Sequence, residues 1–171
     1  SLQVNRLAMK NIENMNRKSD SKDIQKRSAK SLSVAKGLLS VYPTVENFLM
    51  SDVYNPGGQM TLCRNADDCW FGNHPTLAVL DTTYEKHVAE AWLIPQLVNI
   101  SEFSGAKDKL TKSQVKDCAF LIRNNYSYLK VSELMLFCHK FKSGMYGDFY
   151  GSVSPLTIMV ALRQFMVERS V

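Results

Sequence analysis

The chain has 171 residues, of which 45% are hydrophobic, so it has the material for one domain with a substantial core and is not a disordered composition. Its longest uncharged apolar stretch, "AWLIPQLVNI", is far shorter than the ~18 residues that a membrane-spanning helix needs. Net charge is +5, and its placement is uneven: residues 1–40 hold nine Lys/Arg against three Asp/Glu, a net of +6, while the rest is near neutral.

The N-terminus "SLQVNRLAMK" carries charge early and has no apolar run, so it does not read as a signal peptide. Val4, Leu7, Ala8, Ile12 and Met15 recur at helical spacing over residues 2–16. "RKSDSKD" predicts a break, with Ser19, Asp20 and Ser21 as caps, and a second helix from Lys22 to about Val41. That helix places Ile24, Leu32, Ala35, Leu38 and Leu39 on its apolar side. Pro43 takes a first-turn position before "TVENFLM". Residues 1–50 thus read as a basic helical arm whose later part docks on the body.

Residues 51–74 read as an irregular connector, with turn chemistry at "NPGG" and "FGN" and either a short strand or a short helix at "QMTLC". Residues 75–171 read as the helical body. A short helix follows His74–Pro75, and Asp81 caps a long one to about Phe103. Tyr84, His87 or Val88, Ala91, Trp92, Pro95, Val98 and Ile100 lie on its buried side, and Pro95 should bend it. "TKSQ" at 111–114 has capping-box spacing and opens a helix with Val115, Cys118, Ala119 and Ile122 on one face. Ser132 caps the next helix, which stops at Gly144. Ser154 and Pro155 start the last one. The expected fold is all-α or mainly α: a multi-helix single domain with a basic arm and room for one short hairpin or strand. The two helices joined by "NNYSYLKV" have the spacing of a helix-turn-helix pair, which any helical domain can show.

Motifs of catalysis and cofactor binding are scarce. Cys63, Cys69 and His74 gather within twelve residues with Asp67 and Asp68 nearby. Five residues separate the cysteines and no C-x2-C pair occurs, so the spacing argues against zinc. Cys118 and Cys138 sit in apolar helical patterns as buried thiols, and four cysteines in this length fit a reduced, cytoplasmic protein rather than a disulfide scaffold. No nucleophile elbow, P-loop or dinucleotide fingerprint is present. No cofactor is expected, and no enzymatic activity.

"FKSGMYGDFYG" at 141–151 holds three glycines and four aromatics. It follows a helix rather than a strand, so it is not a phosphate loop. Gly144 fits a helix end in left-handed conformation, Lys140 and Lys142 complement the helix dipole, and Gly147 and Gly151 permit reversals. Its rings supply apolar area to the turn, and any that are exposed would form a partner surface.

Nucleic acid is the partner that the charge pattern favours, through phosphate neutralisation by the arm and base stacking on the aromatic turn. The contact residues are Arg17, Lys18, Lys22, Lys26, Arg27 and Lys30 on the arm, and Lys140, Lys142, Tyr146, Phe149 and Tyr150 near the turn. The arm has no Trp or Phe, so a membrane surface is not its expected partner. The leading expectation is an accessory or adaptor that binds DNA or a DNA-handling protein. The alternatives are a protein–protein module, with homodimerisation through residues 1–40, and an enzyme of undescribed type.

From about Thr76 to Arg169, "PTLAVL" and "LTKSQVKDCAFLIRNNYSYLKVSELMLFCHKFKSGMYGDFYGSVSPLTIMVAL" follow a pattern of helix, "Y-x-Y-L-K", helix ending "K-x-G-x-Y-G", aromatic turn and last helix. In this the chain resembles an uncharacterised family of small helical proteins of bacterial genomes and mobile elements. The resemblance implies no activity and no catalytic residues. It implies, by association, a setting near mobile-element replication. Where the family has "G-K-Y-G", this chain has Gly144–Met145–Tyr146–Gly147.

Overall fold

The computed structural model describes residues 2–148 and 153–171, and the side chains of α1 from residue 21 onward apart from Arg27. Nine α-helices and one 3₁₀ turn occur among the described residues, with no strand. Helix α1 spans Leu2–Val41, α2 Val45–Leu49, α3 Gln59–Leu62, α4 Ala66–Phe71 and α5 Leu77–Thr83. Helix α6 spans Val88–Phe103, α7 Lys112–Asn125, α8 Val131–Lys142 and α9 Pro155–Arg169. The mainly α, single-domain expectation therefore holds.

The predicted break at "RKSDSKD" is absent: α1 is one helix of 40 residues. Ser and Asp favour caps but do not enforce them. With no Gly or Pro between residues 17 and 23, nothing interrupts the hydrogen-bond ladder, and exposed polar residues cost an ongoing helix only tenths of a kcal/mol each, roughly. At 1.5 Å per residue α1 is roughly 60 Å long. Among the described side chains of α1, burial begins only toward its end. Residues 21–26 and 28–33 are all exposed, including Ile24 and Leu32, whereas Leu38 is buried. Leu39, expected on the apolar side, is exposed. Just past the helix, Tyr42 joins Phe48, Tyr54 and Tyr84 in a ring cluster with centroids 5.5–6.2 Å apart. Tyr84 donates its hydroxyl to the Tyr42 carbonyl at 2.7 Å. These bonds fix where the arm leaves the body.

Thr44, not Pro43, opens α2: Thr44 Oγ1 accepts from Asn47 N–H, and the Asn47 side chain reaches back to Thr44 N–H. Residues 51–74 form the 3₁₀ turn Pro56–Gly58 and then α3 and α4, and Phe48, Tyr54 and Cys69 belong to the same buried cluster as α5 to α9. Helix, not strand, is thus the outcome at "QMTLC".

Helix α6 runs through Pro95 unbroken. Its buried side is Val88, Ala89, Trp92, Leu93, Gln96, Leu97, Ile100 and Ser101. Ala91, Pro95 and Val98 face outward instead, and His87 precedes the helix in left-handed conformation at φ 73°. A buried glutamine moved the true face: Gln96 Nε2 and Trp92 Nε1 both donate to the Tyr54 carbonyl at 2.9 Å, and Gln59 Nε2 donates to Gln96 Oε1 at 3.0 Å. Asp81 lies within α5 yet still caps α6, accepting the Ala89 N–H on Oδ1 at 2.9 Å. Its Oδ2 meets Arg123 Nε of α7 at 2.6 Å.

Helix α7 matches its expected face and capping box, with Thr111 and Gln114 exchanging bonds of 3.0 and 3.1 Å. Ser132 does not cap α8. Glu133 Oε1 accepts the N–H of Lys130, while Ser132 lies inside the first turn and donates to the Cys69 carbonyl at 2.9 Å. Gly144 ends α8 at φ +80°, and Ser154 Oγ accepts the Thr157 N–H with Pro155 in the first turn of α9.

Candidate functional site: the cleft at the root of the arm

Where α1 meets the body, a cleft of about 620 Å³ opens between Lys30, Ser31 and Val34 of the arm and the body. Its body wall follows from one local pairing. Residues 75–78 run antiparallel to 127–131, with a bridge at Thr76 and Lys130. Leu77 N–H donates to the Leu129 carbonyl, Val131 N–H to Pro75 and Ala78 N–H to Ser127, at 2.9–3.0 Å. This brings Thr76, Ser127, Tyr128 and Lys130 to one side, and the exit of α4 supplies Phe71, Asn73 and His74.

The lining is basic and aromatic, and no carboxylate lines it among the described residues. Lys130 Nζ donates to the carbonyls of Trp70 (2.5 Å) and Gly72 (3.2 Å). Burial is the main influence lowering its pKa, opposed by Glu133 and reinforced by the positive charge of Arg169 and Lys30. An ammonium has three N–H donors, so two carbonyl bonds leave one over. Tyr128 is half exposed with Arg169 Cζ 5.4 Å from its ring centre, and Phe71 is 84% exposed. Arg169 is itself paired with Glu133, which is buried.

His74 lines the cleft, but both of its ring nitrogens are committed. Nε2 meets Asp68 Oδ2 and Nδ1 meets Tyr54 Oη, each at 2.8 Å. A carboxylate can only accept, so neutral His74 carries its proton on Nε2 and accepts the Tyr54 hydroxyl on Nδ1. Burial pushes the Tyr54 hydroxyl well above its ordinary pKa, so it stays a donor. Gly72 allows this arrangement: a Cβ there would come within 2.3 Å of Asp68 Oδ1 and 2.4 Å of its carbonyl.

Of the three residues weighed and set aside as metal ligands, Cys63 and Cys69 lie side by side and His74 bonds elsewhere. Cys69 is buried and donates toward the Leu62 carbonyl, Cys63 is half-buried beside it, and His74 is spent on Asp68 and Tyr54. No group of three or more metal-ligating side chains occurs among the described residues, and all four cysteines are free thiols.

The expected contact residues fall into two groups. Lys22, Lys26 and Lys30 are exposed along α1. The side chains of Arg17, Lys18 and Arg27, together with Phe149, Tyr150 and Gly151, lie outside the described residues. Near the aromatic turn the side chains bond inward. Lys140 pairs with Glu168 at 3.0 Å and sits 5.4 Å from the Trp70 ring centre. Lys142 donates to Asn99 Oδ1 at 2.8 Å and lies over Phe103. Tyr146 stacks on Phe137 and donates to Glu168 Oε2, and burial aided by that carboxylate raises its pKa. These three residues tie α8 to α6 and α9, which the sequence alone did not reveal. Sequence reading also passed over Phe71, Tyr128 and Lys130, because they come from separated segments.

The last part of the chain matches a family of unknown function. The model of that family (DUF6633) covers residues 109–171, from just before α7 to the C-terminus. No curated protein and no solved structure matches the chain. The matched region includes Ser127, Tyr128 and Lys130 of the cleft but not the arm, Phe71 or His74. No helix among the described residues is long and apolar enough to cross a membrane.

Proposed function

We propose that this protein is a non-enzymatic accessory module that binds nucleic acid, or a nucleic-acid-handling protein, through its basic arm. One observation carries the reading: the positive excess of the chain sits on a single long helix whose residues 21–26 and 28–33 are exposed. A cationic rod of that kind neutralises phosphates and releases counterions, giving affinity without sequence choice. The resemblance to mobile-element proteins supports a setting near replication, and free thiols support the cytoplasm as the compartment. The test is a salt titration of full-length protein with single- and double-stranded DNA. Binding that weakens steeply with salt is expected; no binding at low salt overturns direct contact.

A second reading is homodimerisation through α1, favoured by Ile24 (61%) and Leu32 (59%), which stand exposed eight residues apart on the helix. Light scattering distinguishes it: a dimer that Ile24→Glu and Leu32→Glu abolish would assign the arm to self-association.

A further inference from the structure

The cleft at the root of the arm combines features that the arm's charge alone does not explain. Its volume of about 620 Å³ is within the range of small-ligand sites. Two lysines line it, Lys30 on α1 and Lys130 on the body, and no carboxylate lines it among the described residues; the Lys130 ammonium keeps one N–H beyond its bonds to the Trp70 and Gly72 carbonyls. Phe71 and Tyr128 line it and are 84% and 49% exposed, with Arg169 over one face of the Tyr128 ring. Tyr128 is held under a guanidinium, which orders the ring. Asn73, Ser31, Thr76 and Ser127 add uncharged hydrogen-bonding groups. Paired cations select an anion, the rings select a flat aromatic group, and the polar rim suits a heteroaromatic edge.

We propose that this cleft takes one unpaired nucleotide of a single strand, its base stacked on Tyr128 or Phe71 and its phosphate between Lys30 and Lys130. This rests on the reading of the arm as a nucleic-acid binder, and goes further by giving that binder a preference for unpaired bases. A duplex keeps its bases stacked internally, so only a single strand can use the rings. The arm then supplies sequence-blind attraction, and the cleft at its root discriminates by strandedness.

The experiment uses full-length protein, a fluorescent dT12 strand and a blunt 12-mer duplex, read by anisotropy at fixed salt. Phe71→Ala and Tyr128→Ala, both at exposed rings and therefore compatible with folding, are compared with Phe71→Tyr and Tyr128→Phe. At about 1–3 kcal/mol for each stacked base, at least one alanine variant should lose roughly 5- to 150-fold in dT12 affinity. Duplex affinity should not change, and the aromatic replacements should retain binding. Unchanged dT12 binding in both alanine variants overturns the cleft while leaving the arm reading intact. Equal losses for strand and duplex overturn it as well. Displacement of dT12 by equimolar thymidine monophosphate would assign the cleft to a free nucleotide and overturn the strand assignment. Failure of wild-type protein to bind either DNA at low salt overturns both readings.

Discussion

Lys130 Nζ donates to the Trp70 carbonyl at 2.5 Å across 60 positions of sequence, joining the start of α8 to the end of α4 and fixing one wall of the cleft. A hydrogen bond to a charged group contributes about 1.5–3 kcal/mol, less where solvent reaches it. Lys130→Met keeps the apolar stem and removes the donors. Urea unfolding should show a loss of about 1–2 kcal/mol. An unchanged midpoint would mean that the bond contributes nothing.

Asp81 joins three helices by accepting from Ala89 N–H at the start of α6 and from Arg123 of α7. Its side chain is only 14% exposed, so removing it leaves a helix N-terminus and a guanidinium unsatisfied. Asp81→Ala should cost about 2–3 kcal/mol and Arg123→Ala less, because the cap survives the second change. A double-mutant cycle in urea should return a coupling of about 0.5–2 kcal/mol; additive losses would contradict a working pair.

Two glycines should respond with opposite signs. Gly144 lies at φ +80° with nothing within 4 Å of a built Cβ, so Gly144→Ala suffers only backbone strain. That strain is about 1–2 kcal/mol. Gly37 lies inside α1, also with open space around it, so Gly37→Ala should stabilise by about 0.5–1 kcal/mol. Thermal melts of the two variants check this, and a destabilised Gly37→Ala would contradict the helix through that point.

Alkaline pH should weaken the fold through its thiols. Burial raises Cys138 and, with help from neighbouring Cys69, Cys63 to about 12, and raises Cys118 to about 11, from an ordinary value of 9.0. Below pH 9.0 both folded and unfolded chains hold these protons, so the contribution is constant. Above it the unfolded chain releases protons that the folded chain retains, so stability falls as pH rises toward the folded values. Urea midpoints at pH 7.5, 9.5 and 10.5 should decline in that order, and Cys138→Ser should cost stability at every pH. Iodoacetamide at pH 7.5 should leave native Cys69, Cys118 and Cys138 unmodified, since all three are buried.

What was legible in the sequence was mostly local. The Thr111–Gln114 box, the face of α7, Gly144 and the Ser154–Pro155 start all depend on residues within one or two turns of one another, and all appear as expected. The interruption of α1 was misread because Ser and Asp permit a cap without requiring one. The face of α6 was displaced because Gln96 is buried through bonds to Tyr54 and Gln59, which hydrophobic periodicity cannot anticipate. The cleft was invisible for a related reason. Its walls come from the arm, the α4 exit and the 127–131 segment, and the pairing of residues 75–78 with that last segment brings them together. The basic arm was legible as charge; what the fold adds is where it is anchored.

On the proposed reading, the exposed cations of α1 bind phosphate. It is tested most directly by the salt dependence of duplex DNA binding for full-length protein and for a Lys22→Gln, Lys26→Gln, Lys30→Gln variant. All three lysines are exposed, so the variant should fold like the parent. Each lysine that neutralises a phosphate contributes about 0.9 to the slope of log K against log salt. Replacing all three should therefore flatten that slope by about 2–3 and weaken binding at about 50 mM salt by roughly tenfold or more. Identical slopes and affinities for the two proteins would mean that these lysines bind no phosphate.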